Sequence, residues 1–269
     1  MKVAIHSVFI LKENILFLEE WINYHILLGF NKFYLYDNSK VTKSGGCHPN
    51  HKCFNPGKVS KYGVNYDQVV NMTDTQMYLY VQKLCEKYKC IEYIEWSPTD
   101  EKGNILHNQS QAHNHCLKKL KKDKIDWCAN IDMDEYIVIN RFNNIKIYLS
   151  LLSNKISNIQ LGQTRFDSRF NNLDKLVTDI TNAEIKNIDR YHSTKNIYNV
   201  KNTIKTSVHY ATVKGIEYKP RLSEIKFNHY KLIQNEYKCV DNINKNIKNK
   251  LRFNKKTFIP LIQESPSEA

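Results

Sequence analysis

The chain lacks several features that would each name a class. It has no apolar stretch approaching the roughly 20 residues that cross a bilayer. Its N-terminal run, MKVAIHSVFILKEN, is short, strand-like and interrupted by His6 and Ser7. No small-residue cleavage site follows, so neither a signal peptide nor a transmembrane segment is expected. There is no Gly-rich phosphate loop near the first predicted strand, which argues against a nucleotidyltransferase, the main enzymatic alternative on a similar sheet. Arg is scarce and the lysines are dispersed. The net charge of +13 therefore reads as the bias of a Lys-, Asn-, Ile- and Tyr-rich proteome. A nucleic-acid-binding module without catalysis would show clustered basic and aromatic residues instead. The densest basic stretch, residues 245–256, reads as a solvated helix face. Seven cysteines, an odd number without a secretion signal, point to reduced, structural thiols in a cytoplasmic setting.

What the chain does have is length and alternation. Its 269 residues, 41% hydrophobic and 25% charged, suffice for one large α/β domain with a sizeable core. Residues 3–11 form a β-rich apolar run. Leu18, Trp21, Ile22, His25 and Leu28 then recur at helical spacing, and Gly29 is placed to close that helix. Residues 32–37 are a second strand, followed by a Gly-, Lys- and Pro-containing loop over about 38–66. Thr73 and Gln76 have capping-box spacing ahead of an apolar stripe of Met77, Tyr80, Val81, Leu84 and Tyr88. Residues 91–96 are a third strand. Leu106, Gln109, His113, Cys116, Leu117 and Leu120 share a helix face, and residues 128–132 are a fourth strand. This β-α-β-α-β-α-β order predicts a Rossmann-like, mostly parallel central sheet flanked by helices, with ligands outside the carboxyl ends of its strands.

The second half is less regular. Residues 145–152 read as a helix, 156–166, 204–213 and 224–229 as strands, and 242–253 as a basic terminal helix. The whole is expected to be one domain over 1–260, with a nucleotide-binding half (1–140), an acceptor-side half (141–260) and a tail (261–269).

The sharpest local feature is Ile131-Asp132-Met133-Asp134-Glu135-Tyr136. Three carboxylates in four residues at a strand end are costly to bury without compensation. In extended backbone Asp132 and Asp134 point the same way. A hard divalent cation shared with a diphosphate would neutralise them; an exposed acidic turn is the plainer alternative. Cys47, His48, His51 and Cys53 are of zinc-ligating type, but their spacing fits no standard finger, and residues 45–63 are expected to form a mobile or acceptor-side flap. Asn71-Met72-Thr73 and Asn108-Gln109-Ser110 fit a glycosylation pattern that the missing secretion signal discounts.

Several motifs in order resemble glycosyltransferase family 92 and related family 2-like GT-A enzymes, with homologues in large DNA viruses. They are Leu18-Glu19-Glu20-Trp21-Ile22-Asn23-Tyr24-His25 with Leu28-Gly29; Tyr36-Asp37-Asn38; Gln109, Ala112, His115, Cys116 and Leu117; Trp127 and Asp132-Met133-Asp134-Glu135-Tyr136; Lys201-Asn202-Thr203-Ile204-Lys205; and Phe227-Asn228-His229-Tyr230. The resemblance implies a GT-A fold, a nucleotide-sugar donor such as a UDP-sugar, a hydroxyl acceptor on a glycan, and Mn²⁺ or Mg²⁺. It places Asp132 near the ribose or metal, Asp134 on the metal and His229 as a late metal or diphosphate ligand. Asp37 would reach the base or ribose, and Lys12 and Glu13 would line the nucleotide pocket. Gln109 is offered as a diphosphate contact or a helix–sheet contact. Lys201 and Lys205 are offered as charges beside the leaving diphosphate or as surface lysines. The implied transfer is inverting, and it needs a carboxylate base near the acceptor hydroxyl; Glu135 and Asp167 are both candidates. The chain departs from the family pattern at Lys12-Glu13-Asn14, where the family has Lys-Asn-Glu, and in the enlarged loop after Asn38.

Overall fold

The computed structural model of the chain describes residues 1–40, 73–167, 177, 182–184, 190–231 and 237–239. The first half follows the expected alternation: β1 (Val3–Phe9), α1 (Leu11–Leu27), β2 (Lys32–Asp37), α2 (Asp74–Lys87), β3 (Ile91–Glu95), α3 (Gln109–Lys122) and β4 (Trp127–Asn130). These four strands are parallel, in the spatial order β3-β2-β1-β4. Both faces of β1 and β2 are buried. Val3, Ile5, Phe9, Phe33 and Leu35 join the core under α1 and α2, while Ala4, Val8, Tyr34 and Tyr36 join the core under α3. Strands buried on both faces read as near-continuous apolar runs, as expected of parallel sheets.

The helix ends are built as their residue types dictate. Gly29, at φ +105, lets the chain turn back so that Phe30 N–H reaches His25 O and Gly29 N–H reaches Ile26 O, a Schellman closure. A Cβ there would press on the Asn144 side chain at 2.8 Å. Thr73 and Gln76 form the expected capping box at the start of α2. Asn108 caps α3 by accepting from Gln111 N–H.

Beyond β4 the sheet becomes mixed, which the first-half pattern did not foretell. The chain continues through β5 (Glu135–Ile139), α4 (Ile145–Ser150), β6 (Ile156–Asp167), β7 (Asn182–Glu184) and β8 (Arg190–Asn199). Its described part goes on through the short hairpin β9 (Thr203–Thr206) and β10 (Ala211–Val213), then β11 (Ile216–Tyr218), β12 (Ile225–Lys231) and β13 (Tyr237–Cys239). β8 runs antiparallel between β4 and β6. β12 is parallel to β6 and antiparallel to β5. The sheet thus curls from β4 through β8, β6 and β12 to β5, which the chain itself reaches by a tight turn from β4. Residues 204–213, read as one strand in the sequence, are instead the β9–β10 hairpin. The acidic motif concealed β5. In β8 both faces are buried around Thr194, Lys195 and Asn196, so it lacks apolar alternation. The predicted terminal helix over 242–253, the 45–63 loop and its Cys47, His48, His51 and Cys53 lie outside the described residues. Cys116 and Cys128 are buried free thiols, and Cys85 and Cys90 are half-buried ones. Among the described residues no helix is long and apolar enough to cross a membrane.

β5 has β12 on one edge, and α1 supplies the hydrogen bonds of the other. The Trp21 indole donates to Glu135 O at 2.8 Å, and the Tyr24 hydroxyl to Ile137 O at 2.8 Å. His25 Nδ1–H donates to Trp21 O at 2.8 Å, which leaves Nε2 to accept from Ile137 N–H at 3.3 Å. Glu135 N–H bonds Asp132 O at 3.1 Å. The outward backbone groups of Glu135 and Ile137 are therefore all satisfied, as buried backbone must be. The motif residues Trp21, Tyr24 and His25 are fully buried and serve as this clamp.

Trp21→Phe and Tyr24→Phe keep a ring but orphan a buried carbonyl. Each is expected to destabilise the fold by about 1–3 kcal/mol in urea denaturation. Burial lowers the His25 pKa to about 3, against a partial upward pull from the Trp21 carbonyl. The unfolded chain, titrating near 6.5, then takes up the proton first. This contribution is intact above about pH 6.5 and is lost as pH falls toward 3. His25→Asn should lower stability at neutral pH and flatten the acid dependence in that window.

Candidate functional site

The acidic turn is held from three sides. Ile131 N–H still bonds His6 O at 3.2 Å, so the backbone stays extended one residue past β4. Asp132 N–H then donates to Glu135 Oε2 at 2.8 Å, and Tyr230 N–H to Asp134 O at 2.9 Å. With the Trp21 bond to Glu135 O, the turn is tied to β1, β12 and α1.

Four neighbouring strands each send one buried polar side chain to this turn: Lys195 from β8, Gln163 from β6, His229 from β12 and Glu135 from β5. The placement follows from register, since His229 lies opposite Glu135 and Asn196 opposite Asn130. His229 Nε2 is 3.3 Å from Asp134 Oδ2, and its Nδ1 is 3.7 Å from Glu135 Oε1 and 3.0 Å from Gln163 Oε1. When Nδ1–H donates to the Gln163 amide oxygen, Nε2 faces the Asp134 carboxylate. Fixing one ring nitrogen by a hydrogen bond is how a ligating histidine is oriented. Lys195 Nζ lies 2.8 Å from Asp132 Oδ2 and 3.4 Å from Glu135 Oε2. Burial pushes the Glu135 carboxyl up to about 8; Lys195 pulls it down, and Asp132 and Asp134 push it further up. Burial would pull Lys195 down, but Asp132 and Glu135 outweigh it and hold the ammonium above its ordinary value.

Asp134, Glu135 and His229 each offer a ligand atom, all within 4.8 Å of one another. Two carboxylates and an imidazole suit a small divalent cation such as Mn²⁺ or Mg²⁺. The set differs from the sequence expectation: Glu135 stands with Asp134 and His229, while Asp132, 39% exposed at its side chain, pairs with Lys195. Glu135, one of the two candidate bases, is 1% exposed and lies within this cluster.

A cavity of about 610 Å³ opens at the carboxyl ends of β1, β2 and β3, with Asp37, Tyr93, Leu11, Met77 and Tyr78 in its wall. Asp37 ends β2 and accepts from Ser39 N–H, from the Ser39 hydroxyl and from the Tyr93 phenol. Burial raises its pKa, and these donors hold it back. β1 separates β2 from β4, with Phe9 opposite Asp37 and His6 opposite Asn130. Two strand spacings, about 10 Å, therefore separate Asp37 from the turn at Asp132.

The remaining expected residues are placed as follows. Gln109 opens α3 and is half-buried. Lys201 is exposed in the turn after Asn199, which lies opposite Trp127 at the far end of β4 from Asp132. Lys205 is exposed on β9. The lysine at the carboxylates is Lys195, which sequence reading missed because nothing marks one lysine in a polar strand as buried. Gln163 was missed for the same reason. Lys12 and Glu13 open α1, and Asp167 ends β6 beside Lys231 in register; the side chains of all three lie outside the described residues.

The described residues define an α/β protein whose first four strands are parallel; the acidic and histidine cluster follows β4, and none of its residues is in the described lining of the cavity at the ends of β1, β2 and β3. Residues 61–265 match the model of glycosyltransferase family 92, and the chain belongs to that family. The match takes in Asp132, Asp134, Glu135, Lys195 and His229, but begins after α1 and Asp37. No curated protein matches the sequence. Among solved structures, the chain is similar to S. aureus TarS 1-349, with 13% identity, a TM-score of 0.39, and coverage of 74% of this chain and 47% of that one. It thus spans about half of that structure. It is also similar to apo UDP-glucose pyrophosphorylase, with 7% identity, a TM-score of 0.29, and coverage of 97% and 98%. No residue role is drawn from likenesses so remote.

Tyr93→Phe removes one donor from Asp37 and leaves the buried carboxylate less solvated. The Asp37 titration, followed by carboxyl ¹³C NMR, is expected to move further upward; an unchanged titration would mean that the phenol does not hold the carboxylate.

Proposed function

We propose that the protein is a metal-dependent glycosyltransferase that moves a sugar from a nucleotide-sugar donor, such as a UDP-sugar, to a hydroxyl of a glycan acceptor, with inversion. The observation that carries this reading is the grouping of Asp134, Glu135 and His229 at the carboxyl end of the parallel sheet. Membership in glycosyltransferase family 92 supports the class of reaction. The nucleoside occupies the cavity with Asp37 at its wall, and the diphosphate extends over about two strand spacings toward the acidic turn. Asp134, Glu135 and His229 hold Mn²⁺ or Mg²⁺, with Gln163 orienting His229. When bound, the cation supplies Lewis-acid stabilisation of the charge that builds on the departing diphosphate. The acceptor hydroxyl attacks the anomeric carbon, and its proton passes to an acceptor-side carboxylate, for which Asp167 at the end of β6 is the candidate.

The direct test is a screen of nucleotide sugars with Mn²⁺, scored by release of free nucleotide. Asp134→Asn keeps the shape of the side chain but removes its charge. It should lower transfer by about 10²–10³ and weaken nucleoside diphosphate binding in calorimetry only when Mn²⁺ or Mg²⁺ is present. His229→Ala should act in the same direction, less severely. Equal nucleotide binding by wild type with and without chelator, together with full transfer by Asp134→Asn, would refute the metal-dependent reading.

A further inference from the structure

The acidic turn carries three carboxylates, yet only two of them join His229 in the ligand grouping. Asp132 is drawn aside by Lys195, whose ammonium is 2.8 Å away. Lys195 is not a mobile surface lysine. It is 2% exposed and lies on β8 between β4 and β6, with Leu161 opposite it in register. A buried ammonium requires a partner, because desolvation disfavours the charged form in its absence. Glu135 is divided in the same way. Its Oε2 accepts Asp132 N–H at 2.8 Å and lies 3.4 Å from Lys195, whereas its Oε1 turns toward His229.

We propose that Lys195 is a positioning residue that withholds Asp132 from the cation set, restricting the site to Asp134, Glu135 Oε1 and His229 and to one ion. This inference rests on the divalent-cation reading above. Asp132 is then a fixed anionic neighbour of the site, paired with a cation that the protein itself provides. Sequence spacing alone would make Asp132 and Asp134 equivalent ligands, and the buried lysine removes that equivalence.

The test is Mn²⁺ binding to the full chain without nucleotide, by calorimetry and by the electron paramagnetic resonance of free Mn²⁺. Wild type is expected to bind one ion. Asp134→Asn should weaken binding by about 10–100-fold, the scale of losses at metal sites, while Asp132→Asn should leave affinity within about twofold. Lys195→Met frees Asp132 to ligate and should tighten Mn²⁺ binding by about tenfold or more. Adding Asp132→Asn to Lys195→Met should erase that gain. Lys195→Arg, which keeps the charge, should bind as wild type does. If Lys195→Met does not fold, the comparison of Asp132→Asn with Asp134→Asn in the wild-type background decides. Binding by wild type with Asp132→Asn as damaging as Asp134→Asn overturns the role of Lys195 alone. An unchanged affinity in folded Lys195→Met also overturns it. No Mn²⁺ binding by wild type or Lys195→Met overturns both this inference and the metal-dependent reading.

Discussion

The structure depends on how the outer edge of β5 is satisfied. A strand with one strand partner leaves a row of backbone donors and acceptors that must be paired or wetted. Here a helix does the pairing, through Trp21, Tyr24 and His25, which lie on one face of α1 because residues three and four apart are neighbours on a helix. Their bonds fall on Glu135 and Ile137, so the backbone that carries the acidic turn is held by the most buried part of the N-terminal core. The Trp21, Tyr24 and His25 motif in α1 is a structural brace for the backbone of the acidic turn.

Electrostatics sets the second constraint. Glu135, Lys195, Gln163 and His229 are all removed from water, where each charge costs free energy unless a partner lies close. The curled sheet meets that requirement by bringing β8, β6, β12 and β5 to one point. Burial, ahead of any neighbouring charge, pushes the Glu135 carboxyl up to about 8, and Lys195 pulls it back. Perturbed groups of this kind cluster where ligands bind. The cavity lies at the ends of β1, β2 and β3, and β1 carries β2 on one side and β4 on the other.

Much of the first half was legible from residue patterns. The period of 3.6 in α1, the Thr73–Gln76 capping box and Gly29 at the helix end act over a few residues and depend little on what lies elsewhere. The position of Asp132 and Asp134 just past the fourth strand was legible for the same reason. β8 was not, because its buried residues include Thr194, Lys195 and Asn196 and match no apolar alternation; β5, an apolar strand buried along its length, was not because the acidic string at its start concealed it.

Sequence by itself determined the alternation of β1 to β4 with α1 to α3, the Gly29 and Thr73 helix ends and the location of the carboxylates, since local periodicity and connection rules act along the chain. The resemblance offered His229 as a companion of Asp134, but only the tertiary structure brought Lys195 and Gln163 to the same place. Gln163, Lys195 and His229 come from strands whose register and order are set by long-range pairing, and their burial follows from the curl of the sheet. Lys195 and Lys201 look alike in the sequence. One is sealed against Asp132 and the other stands in solvent at the far end of β4, because strand direction and position, not residue type, fix where a side chain goes.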